Sequence, residues 1–439
     1  MSQRIDFLAR RGGELKGRVD VPGDKSVSHR SIMLGALANG TTHVQNFLTG
    51  EDCLATLRAF RAMGVNIQQP QASEVIIHGV GMHGLQAPEQ VLDVGNSGTS
   101  MRLMAGLLSA QAFDSELTGD ASLQRRPMGR VIDPLQAMGA RIESQEGRAP
   151  LRIQGGQALQ GLEYAMPVAS AQIKSCLLLA GMYAQGRTVV IEPGPSRDHS
   201  ERMLRAFGYE LTQAEDKVSL QGGGALQASD ITVPNDISSA TFFMLGAAIV
   251  PGSELLLPRV GVNPTRTGVI DILRLMGAEV LLESPTEQGG EPVADIRVRG
   301  AELQGIEIPP ELVPLAIDEF PAVFIAAACA QGETLLTEAA ELRVKESDRI
   351  QVMADGLQAL GITAEPRADG IRIVGGQIQG GRVQSHGDHR IAMSFAMAAL
   401  RAAGDIYIED CANVDTSFPG FASLANSAGM CIETTGMDA

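Results

Sequence analysis

Gly23-Asp24-Lys25-Ser26-Val27-Ser28-His29-Arg30 sets hydroxyls, a lysine and an arginine within one octapeptide. It reads as a polar loop between a strand (Gly17–Val21) and a helix from Ser31. At a helix start, unpaired N–H groups and the positive end of the dipole favour an anion. A Walker A loop would need Gly directly before Lys-Ser, which is absent. Alone, the octapeptide serves equally well as a capped surface helix with two solvated bases, and His29 as a packed ring beside it. Basic residues recur at apparent helix starts: Arg125-Arg126-Pro127, Ser196-Arg197-Asp198, Thr265-Arg266-Thr267, Arg343 to Arg349, and Asp388-His389-Arg390. A helix start disfavours a cation by up to ~1 kcal/mol, so an anionic ligand is expected to offset these charges. His386, Asp388 and His389 suggest a metal only weakly, because no further strong ligand cluster adjoins them. No metal and no cofactor is expected.

The elements that must hold these residues repeat. A helix ending in a small or apolar residue plus Gly recurs, with its glycine at Gly64, Gly139, Gly208, Gly277, Gly361 and Gly429. Each such Gly fits the left-handed residue that terminates a helix. Alternating strands follow, as in Val75–Gly79 and Leu151–Gly155, and the last copy lacks one because the chain ends. The unit is about 70 residues, longer than the ~20–50 typical of stacked solenoids, so closed domains are predicted. Helices such as Phe242–Val250 and Phe320–Ala330 are apolar on every side and must be buried on every side. The predicted fold is therefore α/β in two inside-out domains of three repeats each, with helices inside and sheets outside.

With 439 residues, the chain is too long for one core. A net charge of −16 argues against a general nucleic-acid or anionic-membrane binder. Five irregularly spaced cysteines read as reduced thiols. Met1–Gly13 shows no apolar leader, and no stretch is long enough to span a bilayer, so a cytoplasmic protein without membrane or nucleic-acid partners is expected.

GDKSVSHR, GNSGTSMR (95–102), RRPMGR (125–130), ASAQIKS (169–175), IDEFP (317–321), LRVKESDR (342–349) and GDHRIAM (387–393) together resemble the 5-enolpyruvylshikimate-3-phosphate synthase family, in its divergent bacterial branch. The resemblance spans nearly the whole chain. It implies the enolpyruvyl transferase fold, an inside-out α/β barrel in two domains, 23–236 and 1–22 plus 237–439, with the active site in the cleft between them. It further implies transfer of the enolpyruvyl group of phosphoenolpyruvate to the 5-hydroxyl of shikimate 3-phosphate, with release of phosphate, by a monomer. Lys25, Ser26, Arg30, Ser170, Gln172, Arg197, Asp318 and Lys345 would then hold shikimate 3-phosphate. Lys25, Gly98, Arg126, Gln172, Arg349 and Arg390 would hold phosphoenolpyruvate. Asp318 would be the base at the hydroxyl and Glu346 the proton donor to the methylene carbon, with Lys25 beside them. Each carboxylate also has a plain structural reading: Asp318 as N-cap of the Phe320–Ala330 helix, Glu346 as an i,i+3 partner of Arg349 on one helix.

Two positions depart from the family pattern. Thr416 stands where many members have Lys, and Leu103 where many have Pro. Gly98 leaves room for glyphosate, so sensitivity is expected. A UDP-N-acetylglucosamine enolpyruvyl transferase would carry Cys in the loop before Arg125-Arg126, and Gly119–Gln124 has none. A non-catalytic sugar-phosphate-binding protein would keep the arginines but not need Asp318 or Glu346.

Overall fold

The computed structural model describes residues 5–436, which divide into two compact units. One comprises Gly23–Pro234 with Glu287–Glu291; the other comprises the residues up to Pro22, Asn235–Thr286 and the residues from Pro292 onward. Each is built on three buried helices. The first unit holds α1 (Lys25–Leu37), α2 (Gly98–Leu108) and α3 (Ala171–Gly181). The second holds α4 (Ile237–Ala248), α5 (Phe320–Cys329) and α6 (His389–Ala398). All twelve residues of α4 are buried and nine of the ten in α5, as an all-round apolar helix requires. Each fully buried Leu, Ile, Phe or Met contributes roughly 1.5–3 kcal/mol, so burial rather than helix propensity holds these helices in place.

Sheets cover the helices, and each repeats one plan. In the third repeat Arg187–Ile191 pairs in parallel with Glu163–Ala165 and antiparallel with Lys217–Gln221, which continues to Leu211–Ala214. The strands alternate buried and exposed residues, so one face meets the helices and the other meets water. All six repeat glycines adopt positive φ, from 77° at Gly208 to 117° at Gly429, where any side chain would be strained.

The strand missing from the sixth repeat comes from the other end of the chain. Asp6–Ala9 lies between Ile406–Glu409 and Ile432–Thr435, antiparallel to both, where each earlier repeat uses its own last strand. Likewise Lys16–Arg18 supplies the parallel edge strand of the fourth repeat, against Glu254–Gly261.

The octapeptide needs a correction, since it is helix rather than loop. Asp24 caps α1 by accepting from Val27 N at 2.9 Å, and the helix runs from Lys25. The polar residues are turned inward and bonded: Ser28 Oγ accepts from Leu48 N at 3.0 Å, and Ser31 Oγ donates to the Val27 carbonyl. Polarity therefore did not mark an exposed turn.

Candidate active site

In the first unit the predicted residues gather at the N-terminal ends of α1, α2 and α3. Lys25 Nζ lies 3.0 Å from Asp52 Oδ2. Arg30 is only 5% exposed; its Nε donates to Ser200 Oγ and one Nη to Ser175 Oγ, both at 2.8 Å, and the other Nη to the Ser26 carbonyl at 3.1 Å. Burial pulls this guanidinium down to about 10, against the opposing pull of Glu201 and Asp24. A guanidinium has five N–H donors, so these three bonds fix its plane and leave two for a ligand. Beneath it, His29 is fully buried, with Nδ1 2.8 Å from Thr56 Oγ1. Desolvation, reinforced by Lys25 and Arg30, lowers the His29 ring to about 3, so it is neutral near pH 7 and packs rather than catalyses.

Gly98 opens α2 after the cap Ser97. A methyl built on Gly98 would stand 2.8 Å from Arg102 Nη1 and 3.2 Å from Arg126 Nη1, so two guanidiniums border the same small volume. Arg126 donates to Asn96 Oδ1 and Arg102 to Gln172 Oε1, each at 2.8 Å, while Gln172 donates to Thr99 Oγ1 at 3.1 Å. Ser170 caps α3. Arg197 follows Ser196, whose hydroxyl bonds Glu192; Glu192 in turn pairs at 2.7 Å with the buried Lys174. Lys174 also pairs with Glu201 at 2.6 Å, and burial raises the Glu201 carboxyl.

In the second unit one guanidinium organises the rest. Arg349 is 1% exposed; it reaches Asp388 at 2.9 Å, Glu346 at 2.5 Å and Asp318 at 3.4 Å. Burial alone would lower its pKa, but Asp388, Glu346 and Asp318 together raise it, so it stays charged. Lys345 Nζ is 3.4 Å from the same Asp318 oxygen. Arg390, in the first turn of α6, donates to the Asp318 carbonyl at 3.0 Å.

Both plain structural readings of the carboxylates are altered. Glu319, not Asp318, occupies the N-cap of α5 and makes no side-chain cap bond, so the Asp318 carboxylate is turned to Lys345 and Arg349 instead. Glu346 does pair with Arg349, but from the turn before the helix, which starts at Arg349. The structure thus joins Asp318, Lys345, Glu346, Arg349 and Arg390 in one unit, and Lys25, Ser26, Arg30, Gly98, Arg126, Ser170, Gln172 and Arg197 belong to the other. Sequence reasoning missed Asp52, Arg102 and Lys174, and it weighed Asp388 only as a weak metal ligand, whereas Asp388 anchors Arg349. Arg102 was written inside GNSGTSMR, and only its side-chain direction shows its part. Thr416 Oγ1 donates to the Asn413 carbonyl at 2.7 Å, a local bond a lysine there would not make. Burial raises Cys176 and Cys411 thiols to about 12, so both act as small hydrophobes. No described helix is long and apolar enough to cross a membrane.

Comparison with known proteins gives a consistent result. The family model described as EPSP synthase (3-phosphoshikimate 1-carboxyvinyltransferase) matches residues 9–424. The 3-phosphoshikimate 1-carboxyvinyltransferase of Alkalilimnicola ehrlichii is 64% identical over 98% of this chain and 96% of its own. That of Methylococcus capsulatus is 64% identical over 98% and 99%. A solved EPSP synthase from Acinetobacter baumannii superposes with a TM-score of 0.89 at 58% identity, covering 98% of this chain and all of its own.

Proposed function

The chain belongs to the EPSP synthase family, and from that premise we propose that it transfers the enolpyruvyl group of phosphoenolpyruvate to the 5-hydroxyl of shikimate 3-phosphate. Protonation of the methylene carbon makes the adjacent carbon electrophilic. The 5-oxygen attacks it as its own proton is taken, giving a tetrahedral adduct that still carries the phosphate. Loss of a proton from the new methyl restores the double bond and expels phosphate. Asp318 takes the hydroxyl proton, Glu346 serves the methylene carbon, and Lys25 neutralises charge on the substrates. Arginine suits the phosphate and carboxylate groups because its fork is bidentate. Lys25, Ser26, Arg30, Ser170, Gln172, Arg197, Asp318 and Lys345 hold shikimate 3-phosphate, and Lys25, Gly98, Arg126, Gln172, Arg349 and Arg390 hold phosphoenolpyruvate.

One observation carries the assignment. Of the three carboxylates on Arg349, Asp388 has a side chain 0% exposed, whereas Asp318 and Glu346 are 16% and 28% exposed. Two can therefore meet a substrate while the third anchors the cation. The test is phosphate release from phosphoenolpyruvate. Release with shikimate 3-phosphate and none with UDP-N-acetylglucosamine supports the reading, and the opposite result moves the chain to the sister transferase. Binding of shikimate 3-phosphate without release would make it a sugar-phosphate-binding protein. The protein acts as a cytoplasmic monomer in this reading, which sedimentation and cell fractionation check.

A further inference from the structure

Four second-helix starts carry an arginine: Arg126, Arg197, Arg266 and Arg349. Three belong to the substrate set above, and Arg266 does not. At 3% exposure it is among the most deeply buried of them, in a cluster reaching the starts of α4, α5 and α6. Its Nη2 donates to Ser238 Oγ and lies 3.4 Å from Asp236 Oδ1 and 3.7 Å from Glu319 Oε1. Ser238 Oγ also donates to Glu319 and receives Arg390 Nη2 at 3.3 Å, while Arg390 Nη1 lies 3.4 Å from Glu319. Glu319 is 2% exposed and caps no helix N–H; its carboxylate meets Ser238, Arg266 and Arg390. Two buried guanidiniums this close repel each other, and the Glu319 carboxylate, which alone of the named acids faces both, together with Asp236 beside Arg266 lets both remain charged and fixed.

We propose that Glu319, with Arg266 and Ser238, is a positioning residue that sets the orientation of Arg390 for phosphoenolpyruvate. The proposal rests on the transferase reading above. Glu319 acts through Arg390, which is assigned to phosphoenolpyruvate and not to shikimate 3-phosphate. Its effect should appear in one Michaelis constant and not the other.

The test combines kinetics and a crystal structure of Glu319→Gln, an isosteric change that removes the charge. A misplaced binding group costs on the order of 100-fold, and a KM for phosphoenolpyruvate raised about 10- to 100-fold is expected, with the KM for shikimate 3-phosphate unchanged. In an Arg390→Gln background the same change should add almost nothing, because both act through one group. Equal rises in both KM values, or full additivity, overturn the proposal. Should Glu319→Gln fail to fold, Ser238→Ala removes the shared hydroxyl and should raise the same KM in the same direction; an unchanged KM overturns it. The crystal structure judges positioning separately from the reading. If the wild type releases no phosphate the transferase reading fails, whereas an Arg390 guanidinium still on the Asp318 carbonyl in Glu319→Gln overturns the positioning role.

Discussion

At the scale of single residues, charge and burial divide the work. Asp318→Asn and Glu346→Gln should each lower kcat by about 100- to 10,000-fold, the range for lost general acid–base catalysis, with folding intact because both side chains are partly exposed. Steady-state kinetics checks this, and a variant keeping a tenth of wild-type turnover has lost no acid or base. Gly98→Ala should fold, since the added methyl crowds only the ends of Arg102 and Arg126 and meets Leu123 at an ordinary 3.8 Å. Those guanidiniums must give way, so the KM for phosphoenolpyruvate and the inhibition constant for glyphosate should both rise, as inhibition assays would show. His29 sets a pH dependence of stability. Its folded value of about 3 lies below the ~6.5 of an unfolded histidine, so the unfolded chain takes up the proton first. Stability is therefore lost as pH falls below about 6.5, by about 2 kcal/mol from this group between pH 7 and pH 5. His29→Gln should flatten that slope in denaturant melts at the two pH values. The residue types at these positions were legible in the sequence; the burial that makes His29 neutral was not, since it depends on Thr56 and Ser100 arriving from other elements.

At the scale of elements, the helices touch backbone to backbone where they must. A methyl on Gly106 would fall 2.2 Å from the Cys176 carbonyl oxygen, so α2 and α3 meet with no room for a side chain. Gly106→Ala gains up to ~1 kcal/mol of helix propensity, yet it forces two buried helices apart. A net loss of about 1–3 kcal/mol is expected from such overpacking, measurable as a lowered denaturation midpoint. Period told much at this scale. The six glycines mark six helix ends, and runs apolar on all sides marked α4 and α5 as buried. It placed the start of α1 late, at Ser31 instead of Lys25, because Ser26, Ser28 and His29 hide the first turns from any hydrophobic pattern. The Ser28 and Ser31 hydroxyls and His29 Nδ1 are bonded inside the protein, so polar residues stand where a periodicity argument demands apolar ones.

At the scale of the whole molecule, the chain closes on itself. Asp6–Ala9 buries Phe7 and Ala9 and pairs on both edges with strands from the far end of the sequence, Ile406–Glu409 and Ile432–Thr435. Removing residues 1–9 should leave Ile432–Thr435 without its partner strand, one edge of Ile406–Glu409 open and a gap in that core. Soluble yield should fall sharply, and the remaining protein should bind a dye for exposed apolar surface. Undiminished yield and a native-like melt would show the strand to be dispensable.

Alone, the sequence determined the repeat, the inward-facing helices, the family and the chemical types of the site residues, because each is written in local spacing and composition. Tertiary structure decided the rest. It showed that Asp318 faces Lys345 and Arg349 while Glu319 lies under Arg390, although the two carboxylates are neighbours in sequence. It also showed that the sixth repeat borrows its last strand from the first residues of the chain. Adjacent side chains diverge by about 100° around a helical turn, and strands pair regardless of the sequence between them. Neither the direction nor the pairing can be read until the backbone has folded.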